Sequence, residues 1–268
     1  MIKAVFIDID DTLTNSNREI SQRNREAIKK CIDKGIKIIL ASGRSRKDAL
    51  EYQQEIGTSP YIISSNGGAV YDVEKQEEIY VEEIEKENIK KMFDYALENK
   101  YRISFNYSDK LVMNEAFYPD ELDKVKLIEE LEKIINEEKI IQCVIYNQDI
   151  EKMKLCKHFI EGIEKVKIVN ESKRLKNPEL KPSKNYYCDI VSKQVSKGKA
   201  VEMLCEYLNI SAQEIVVIGD GENDISMFEI TPNSVAMANS LEFVKEKAKY
   251  ITITNDEDGV AVVLEKLL

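Results

Sequence analysis

The stretch Ala4-Val5-Phe6-Ile7-Asp8-Ile9-Asp10-Asp11-Thr12 decides the fold, because a β-rich apolar run breaks abruptly into acids. Ala4 to Ile9 reads as a strand ending in a polar loop. A helical pattern follows from about Ser21 to Lys34. Ser21 suits an N-cap, Ala27, Ile28, Cys31 and Ile32 line one face, and Gly35 stands where a left-handed C-cap is expected. A second β-rich run, Lys37 to Ala41, completes a β-α-β rhythm, so the two strands are expected to be parallel. A helix from Arg46 to Ile56 leads past Pro60 to a third candidate strand, Tyr61 to Ser64, and the Gly67-Gly68 turn beyond it suggests a hairpin.

The same rhythm returns toward the other end. Lys197 to Leu208 reads as a helix, Ser211 with Glu214 as a small capping box, and Glu214 to Ile218 as a buried strand ended by Gly219 and Asp220. A short helix around Asp224 to Phe228, a strand at Ser234 to Met237, a helix from Ser240 to Ala248 and a last helix from Asp258 follow. Between Glu85 and Lys184 the texture changes. Charged helices (Glu85 to Asn99, Asp120 to Glu138, Asp149 to Glu161) alternate there with strands (Arg102 to Tyr107, Ile140 to Tyr146), as in an inserted α+β module. Its exit is marked by Lys176-Asn177-Pro178 and Lys181-Pro182-Ser183. The expected organisation is an α/β core with a parallel sheet made of residues 1–84 and 185–268, interrupted by an α+β module of residues 85–184.

With 268 residues, 43% of them hydrophobic, the chain can bury a large core. No apolar run approaches a bilayer-spanning length, and the N-terminus lacks the basic start and longer apolar stretch of a secretory signal. Five scattered cysteines without a C-x-x-C pair point to free thiols in a reducing cytoplasm. A net charge of −10 opposes non-specific attraction to nucleic acid, so a small ligand is the expected partner; composition leaves the oligomeric state open.

Asp8 and Asp10 can converge in the loop beyond the first strand, where two carboxylates suit a hard cation such as Mg²⁺ and a division between nucleophile and general acid/base. A solvated turn with aspartates capping backbone N–H groups is the bland alternative. An EF-hand is excluded because Leu13 stands where glycine is required and a strand precedes the loop. Gly219-Asp220-Gly221-Glu222-Asn223-Asp224 places further acids after a second buried strand. The C-terminal ends of parallel strands meet along one edge, so Asp220 and Asp224 can join Asp8 around one metal. This run is neither a dinucleotide fingerprint nor a P-loop. Ser42-Gly43-Arg44 and Lys197-Gly198 open loops or helices able to touch phosphate, although such turns are individually common.

Taken together, Asp8-x-Asp10-x-Thr12, Ser42, Lys197 and Gly219-Asp220-x-x-Asn223-Asp224 resemble the four motifs of the haloacid dehalogenase superfamily, in order and spacing over nearly the whole chain. Ser65-Asn66-Gly67-Gly68-Ala69 and Ala236-Met237-Ala238-Asn239-Ser240 bring the resemblance closest to its Cof-type (subclass IIB) phosphatases. The resemblance implies a Rossmann-like core with an inserted cap and a Mg²⁺-dependent phosphatase acting on a small phosphate ester. It implies Asp8 as nucleophile and Asp10 as general acid/base, with Ser42, Gly43, Arg44, Lys197 and Asn223 around the phosphoryl group. Asp8, the Asp10 carbonyl, Asp220 and Asp224 would serve the metal. A phosphomutase or phosphotransferase of the same superfamily, or a non-catalytic binding protein, is the alternative. Asp11 departs from the glycine usual after the second aspartate, and Ala238 from the glycine usual before Asn239. The single histidine, His158, falls in a charged helix, and Tyr101, Phe105 and Tyr107 share one strand face, so packing and surface roles are expected of them.

Overall fold

The computed structural model describes residues 1–116, 119–176, 179, 181 and 184–268. Among them thirteen strands run in chain order: β1 (Ala4–Ile7), β2 (Lys37–Ala41), β3 (Tyr61–Ser64), β4 (Ala69–Asp72), β5 (Glu77–Val81), β6 (Arg102–Tyr107), β7 (Lys110–Met113), β8 (Gln142–Asn147), β9 (Val166–Glu171), β10 (Tyr186–Ser192), β11 (Ile215–Gly219), β12 (Ser234–Ala236) and β13 (Tyr250–Ile251). The chain forms two compact units, Met1–Val81 with Ser196–Leu268, and Glu82–Val195.

The larger unit holds an eight-stranded sheet in the order β13-β12-β11-β1-β2-β3-β4-β5. β1 lies at its middle with parallel neighbours on both sides, β11 and β2. All four β1 residues are buried, as a strand covered on both faces requires. Val5 and Ile7 join Ile28, Cys31 and Leu264 on one face. Ala4 and Phe6 join Ala200, Val201 and Leu204 on the other. Each such buried large side chain contributes roughly 1.5–3 kcal/mol relative to exposure. β3 and β4 form the expected hairpin, with a 3₁₀ turn at Ser65–Gly67 between them. The helix Gln22–Asp33 starts where expected, because the Ser21 side chain accepts from the Asn24 N–H.

Chain order reverses at β1. β2 and β3 lie to one side of it, β11 to β13 to the other, so a crevice is expected at its carboxyl end.

The smaller unit is an antiparallel sheet ordered β7-β6-β8-β10-β9. Its core includes Phe93 and Met92 of the helix Lys86–Glu98 and Cys156 of the helix Ile150–Glu161. Tyr101, Phe105 and Tyr107 pack in that core, and His158 is exposed.

Three expectations are corrected. The boundary at 184/185 falls instead after Val195, because β10 pairs with β8 and β9 and so belongs to the smaller sheet; the first boundary falls after Val81 rather than residue 84. Of the marks expected at that exit, residues 177, 178, 182 and 183 lie outside the described residues. The helix expected from Asp120 starts at Ile128, since the Lys126 N–H donates to the Met113 carbonyl and draws Val125 alongside Met113 as an isolated bridge. The helix expected from Ser240 to Ala248 is a single turn, Glu242–Lys245.

Candidate active site

Asp8 is the first residue beyond β1, and its N–H donates to the Ile218 carbonyl of β11. That bond ties the loop after β1 to the strand leading into Gly219-Asp220. The chain then coils tightly through Ile9–Leu13, with Asp11 at φ 57°. This left-handed conformation costs glycine nothing and is tolerated by aspartate among few others, which explains why glycine is usual there. Asn239 Nδ2 donates to the Asp11 carbonyl, Asn239 Oδ1 accepts from the Asn255 N–H, and Asn255 Nδ2 donates to the Thr14 carbonyl. The two asparagines clamp the loop that carries Asp8 and Asp10.

Lys197, at the start of the helix Lys197–Leu208, is buried and donates from Nζ to Asp8 Oδ1 at 2.5 Å and to Asp224 Oδ1 at 2.6 Å. Asp224 is fully buried, and its Oδ2 accepts the N–H groups of Asp220 and Gly221 at 3.0 and 2.9 Å. A β-carbon at Gly219 would lie 2.4 Å from the Asp224 carboxyl carbon, so only glycine lets this carboxylate fold back on its own loop. Asp220 Oδ1 accepts from the Thr12 hydroxyl at 2.9 Å.

One ligand oxygen from each of Asp8, Asp220 and Asp224 lies within 4.8 Å of the others. Burial pushes the Asp8 carboxyl well above its ordinary range; Lys197 opposes the shift, while Asp224 and Asp220 add to it. Burial, then the Asp224 charge, pushes Asp220 up to about 7 against the bond from Thr12. For Lys197 burial works against the charge, but Asp224 and Asp8 outweigh it and the pKa rises. Three carboxylates facing one ammonium leave an excess of negative charge in a sheltered place. An all-oxygen donor set of that sign fits a hard divalent cation.

Ser42, the first residue beyond β2, is fully buried. Its hydroxyl accepts the Arg44 N–H. The Arg44 guanidinium does not lie free for an anion. It grips Asp10 with both arms, Nε to Oδ2 at 2.8 Å and Nη2 to Oδ1 at 2.6 Å, and sits 4.9 Å from the Tyr52 ring centroid. The Asp10 side chain is 51% exposed, and its carboxylate is not among the three that cluster. Asn223 Nδ2 donates to Asn66 Oδ1 at 2.8 Å, which ties the loop after β11 to the turn after β3.

The structure therefore brings Asp8, Asp220, Asp224 and Lys197 into one cluster, and Arg44 onto Asp10 rather than toward a ligand. Asn66, Asn239, Asn255 and Thr12 had no role assigned from sequence. For Asn66 and Asn239 the signal was present in the two motifs quoted above; for Asn255 there was none.

A doubly wound sheet interrupted by an α+β unit, with acids and a buried lysine at its switch point, defines an α/β enzyme of the phosphohydrolase kind. The chain belongs to the haloacid dehalogenase-like hydrolases, whose family model matches residues 5–264, and it is a phosphatase of that family. It is 28% identical over 296 aligned residues, 100% of this chain and 98% of the relative, to the 5-amino-6-(5-phospho-D-ribitylamino)uracil phosphatase YwtE of Bacillus subtilis (strain 168). Among solved structures, TM0651 from Thermotoga maritima is similar at 29% identity with a TM-score of 0.82, covering 99% of this chain and 97% of that one. The subclass IIB sugar phosphatase BT4131 is similar at 26% identity and a TM-score of 0.77, covering 99% and 98%. No helix among the described residues is long and apolar enough to cross a membrane.

Proposed function

We propose that the chain is a Mg²⁺-dependent phosphatase that hydrolyses a small phosphorylated metabolite, of the sugar phosphate kind, through an aspartyl phosphate on Asp8. The observation that carries this reading is the convergence of Asp8, Asp220 and Asp224 on the buried Lys197 at the carboxyl ends of β1 and β11. Relatives named for a ribitylaminouracil phosphate and for sugar phosphates support a polyhydroxylated leaving group. The metal would be held by Asp8 and Asp220, with Asp224 and the Asp10 carbonyl in support, and would supply positive charge against the phosphoryl oxygens.

Asp8 is the nucleophile. A carboxylate oxygen forms a bond to phosphorus as the bond to the ester oxygen breaks, and Asp10 gives its proton to the departing oxygen. Asp10 then takes a proton from water as the water oxygen attacks phosphorus. Phosphate leaves and the Asp8 carboxylate is restored. Lys197 neutralises charge on the phosphoryl oxygens, and Ser42, the Gly43 N–H and Asn223 hold them. These residues meet only what all phosphate monoesters share, so discrimination among leaving groups lies outside them.

The test is phosphate release from a panel of sugar phosphates, nucleotides, flavin phosphate and pyridoxal phosphate with Mg²⁺. Asp8→Asn is run in parallel, since its amide is nearly isosteric but a poor nucleophile. Hydrolysis by the wild type with loss of at least about a thousandfold in Asp8→Asn is expected. A near-normal kcat in the variant refutes the covalent path, and no release across the panel refutes the assignment to this substrate class.

A further inference from the structure

The turn Ser65-Asn66-Gly67 has no part in the chemistry assigned so far, yet the chain holds it at considerable conformational cost. Its three residues have φ of 52°, 59° and 94°. Two consecutive non-glycine residues in the left-handed region are uncommon and persist only where the surroundings over-determine them. Here the surroundings are the three loops that carry Ser42, Asn223 and Lys197. The Ser65 N–H donates to the Arg44 carbonyl at 2.8 Å and the Asn66 N–H to the Ser42 carbonyl at 3.0 Å, so the turn straps the loop after β2. A β-carbon at Gly67 would lie 2.2 Å from the Ser196 carbonyl oxygen, which presses the turn against the start of the Lys197 helix.

The Asn66 side chain completes the junction. It is 1% exposed, and its amide lies flat against Gly43: a β-carbon there would be 2.9 Å from Oδ1 and 3.1 Å from Nδ2. Oδ1 accepts from Asn223 Nδ2. Nδ2, equally buried, has no hydrogen-bond partner among the described residues. A buried donor left unpaired costs about 1–3 kcal/mol, and native proteins keep such a group where an absent ligand or a strained function accounts for it. The neighbours of this donor, Ser42, Gly43 and Asn223, are those assigned above to phosphoryl oxygens.

We infer that Asn66 is a further phosphoryl-binding residue, whose Nδ2 donates to a substrate oxygen while its Oδ1 holds Asn223 in place. The inference rests on the phosphatase reading and adds to it a residue on the hairpin turn after β3. One amide then serves both sides of the β1 switch point: it donates to the anion and orients the next donor across the crevice.

Inorganic phosphate is the probe, its binding measured by calorimetry with Mg²⁺ present. Asn66→Asp keeps an acceptor for Asn223 and tolerates the left-handed backbone, but replaces the spare donor with negative charge. Phosphate affinity should fall by at least about tenfold to a hundredfold, the worth of one hydrogen bond to a charged group, with charge repulsion adding to the loss, and the buried carboxylate should also lower the melting temperature. Asn66→Gly also accepts the backbone and serves if the aspartate variant does not fold. Combining it with Asn223→Ala separates direct donation from positioning: a double variant that binds phosphate at least tenfold more weakly than Asn223→Ala alone supports donation by Asn66. A double variant no weaker than Asn223→Ala, or an Asn66→Asp variant within twofold of wild type, overturns it. If wild-type protein neither binds nor releases phosphate, the failure lies with the phosphatase reading and not with Asn66.

Discussion

Arg44 distinguishes two readings of the site, and replacing it by methionine tells them apart. Its sequence position, two residues past Ser42, suggested a phosphate ligand, whereas its guanidinium grips Asp10 through two bonds of 2.8 and 2.6 Å. The pair sits near the surface, with side-chain exposures of 24% and 51%, so its contribution to stability is at most about 1 kcal/mol. Its contribution to turnover is larger, because the fork orients the carboxyl that protonates the leaving oxygen, and one of its two arms must let go for that carboxyl to carry the proton. General acid catalysis is worth about 10²–10⁴, and loosening the acid should forfeit about tenfold to a hundredfold of it. That loss depends on the leaving group. An alkyl phosphate expels a strongly basic alkoxide and needs the proton, while 4-nitrophenyl phosphate expels a stable phenolate and does not. Arg44→Met should therefore lower kcat/KM for the alkyl ester by about tenfold or more and for the aryl ester by less than about threefold. Arg44→Lys should recover only part of the difference, because an ammonium is a point charge and cannot reproduce the two-armed grip. Equal losses on both esters would refute this reasoning and return Arg44 to the phosphate.

Lys197→Met leaves Asp8 and Asp224 buried without their shared counter-charge and should destabilise the metal-free protein by about 3–5 kcal/mol in urea denaturation; a loss below about 1 kcal/mol would mean that the trio is not sheltered as described. Because Asp220 is pushed up to about 7, a proton must leave it before a cation binds, so affinity for Mg²⁺ should fall as pH drops through about 7 and Asp220→Ala should weaken that dependence without abolishing it, since the Asp8 carboxyl is raised as well. Constant affinity from about pH 8 to about pH 5.5 would contradict this. In the smaller unit burial pushes Asp189 up to about 7 from 3.8, despite a bond from Asn170. Between those values the folded chain holds a proton that the unfolded chain releases, so this group lowers stability as pH rises across the window. Asp189→Asn should raise the melting temperature at about pH 8 and leave it unchanged at about pH 3.5, whereas equal effects at both would place the carboxyl in water.

The parts of the site that could be read in the sequence are those that follow from sheet geometry alone. Asp8 and Asp220 each stand just past a short buried strand, and parallel strands with neighbouring ends can only bring such residues to one edge. Lys197 opens a helix one connection before β11, a position too common to decide anything alone, and the resemblance to the superfamily motifs is what ties it to the site. What remained illegible depends on how loops fold back on one another. Arg44 lies beside Asp10, 34 positions earlier, through side-chain reach that no periodicity encodes. Asn255 meets the Thr14 carbonyl across 241 positions. In the smaller unit, β10 was missed because the proline-bearing stretch ahead of it resembles a linker, although Tyr186, Cys188 and Ile190 alternate as a half-buried strand should. Asp11 falls between these cases. Its replacement of a glycine was visible, and a glycine position is evidence about φ before it is evidence about side chains. Taken that way, the substitution already implies a left-handed residue in the loop after β1. It also implies a need for outside hydrogen bonds to hold that loop, and these Asn239 and Asn255 supply.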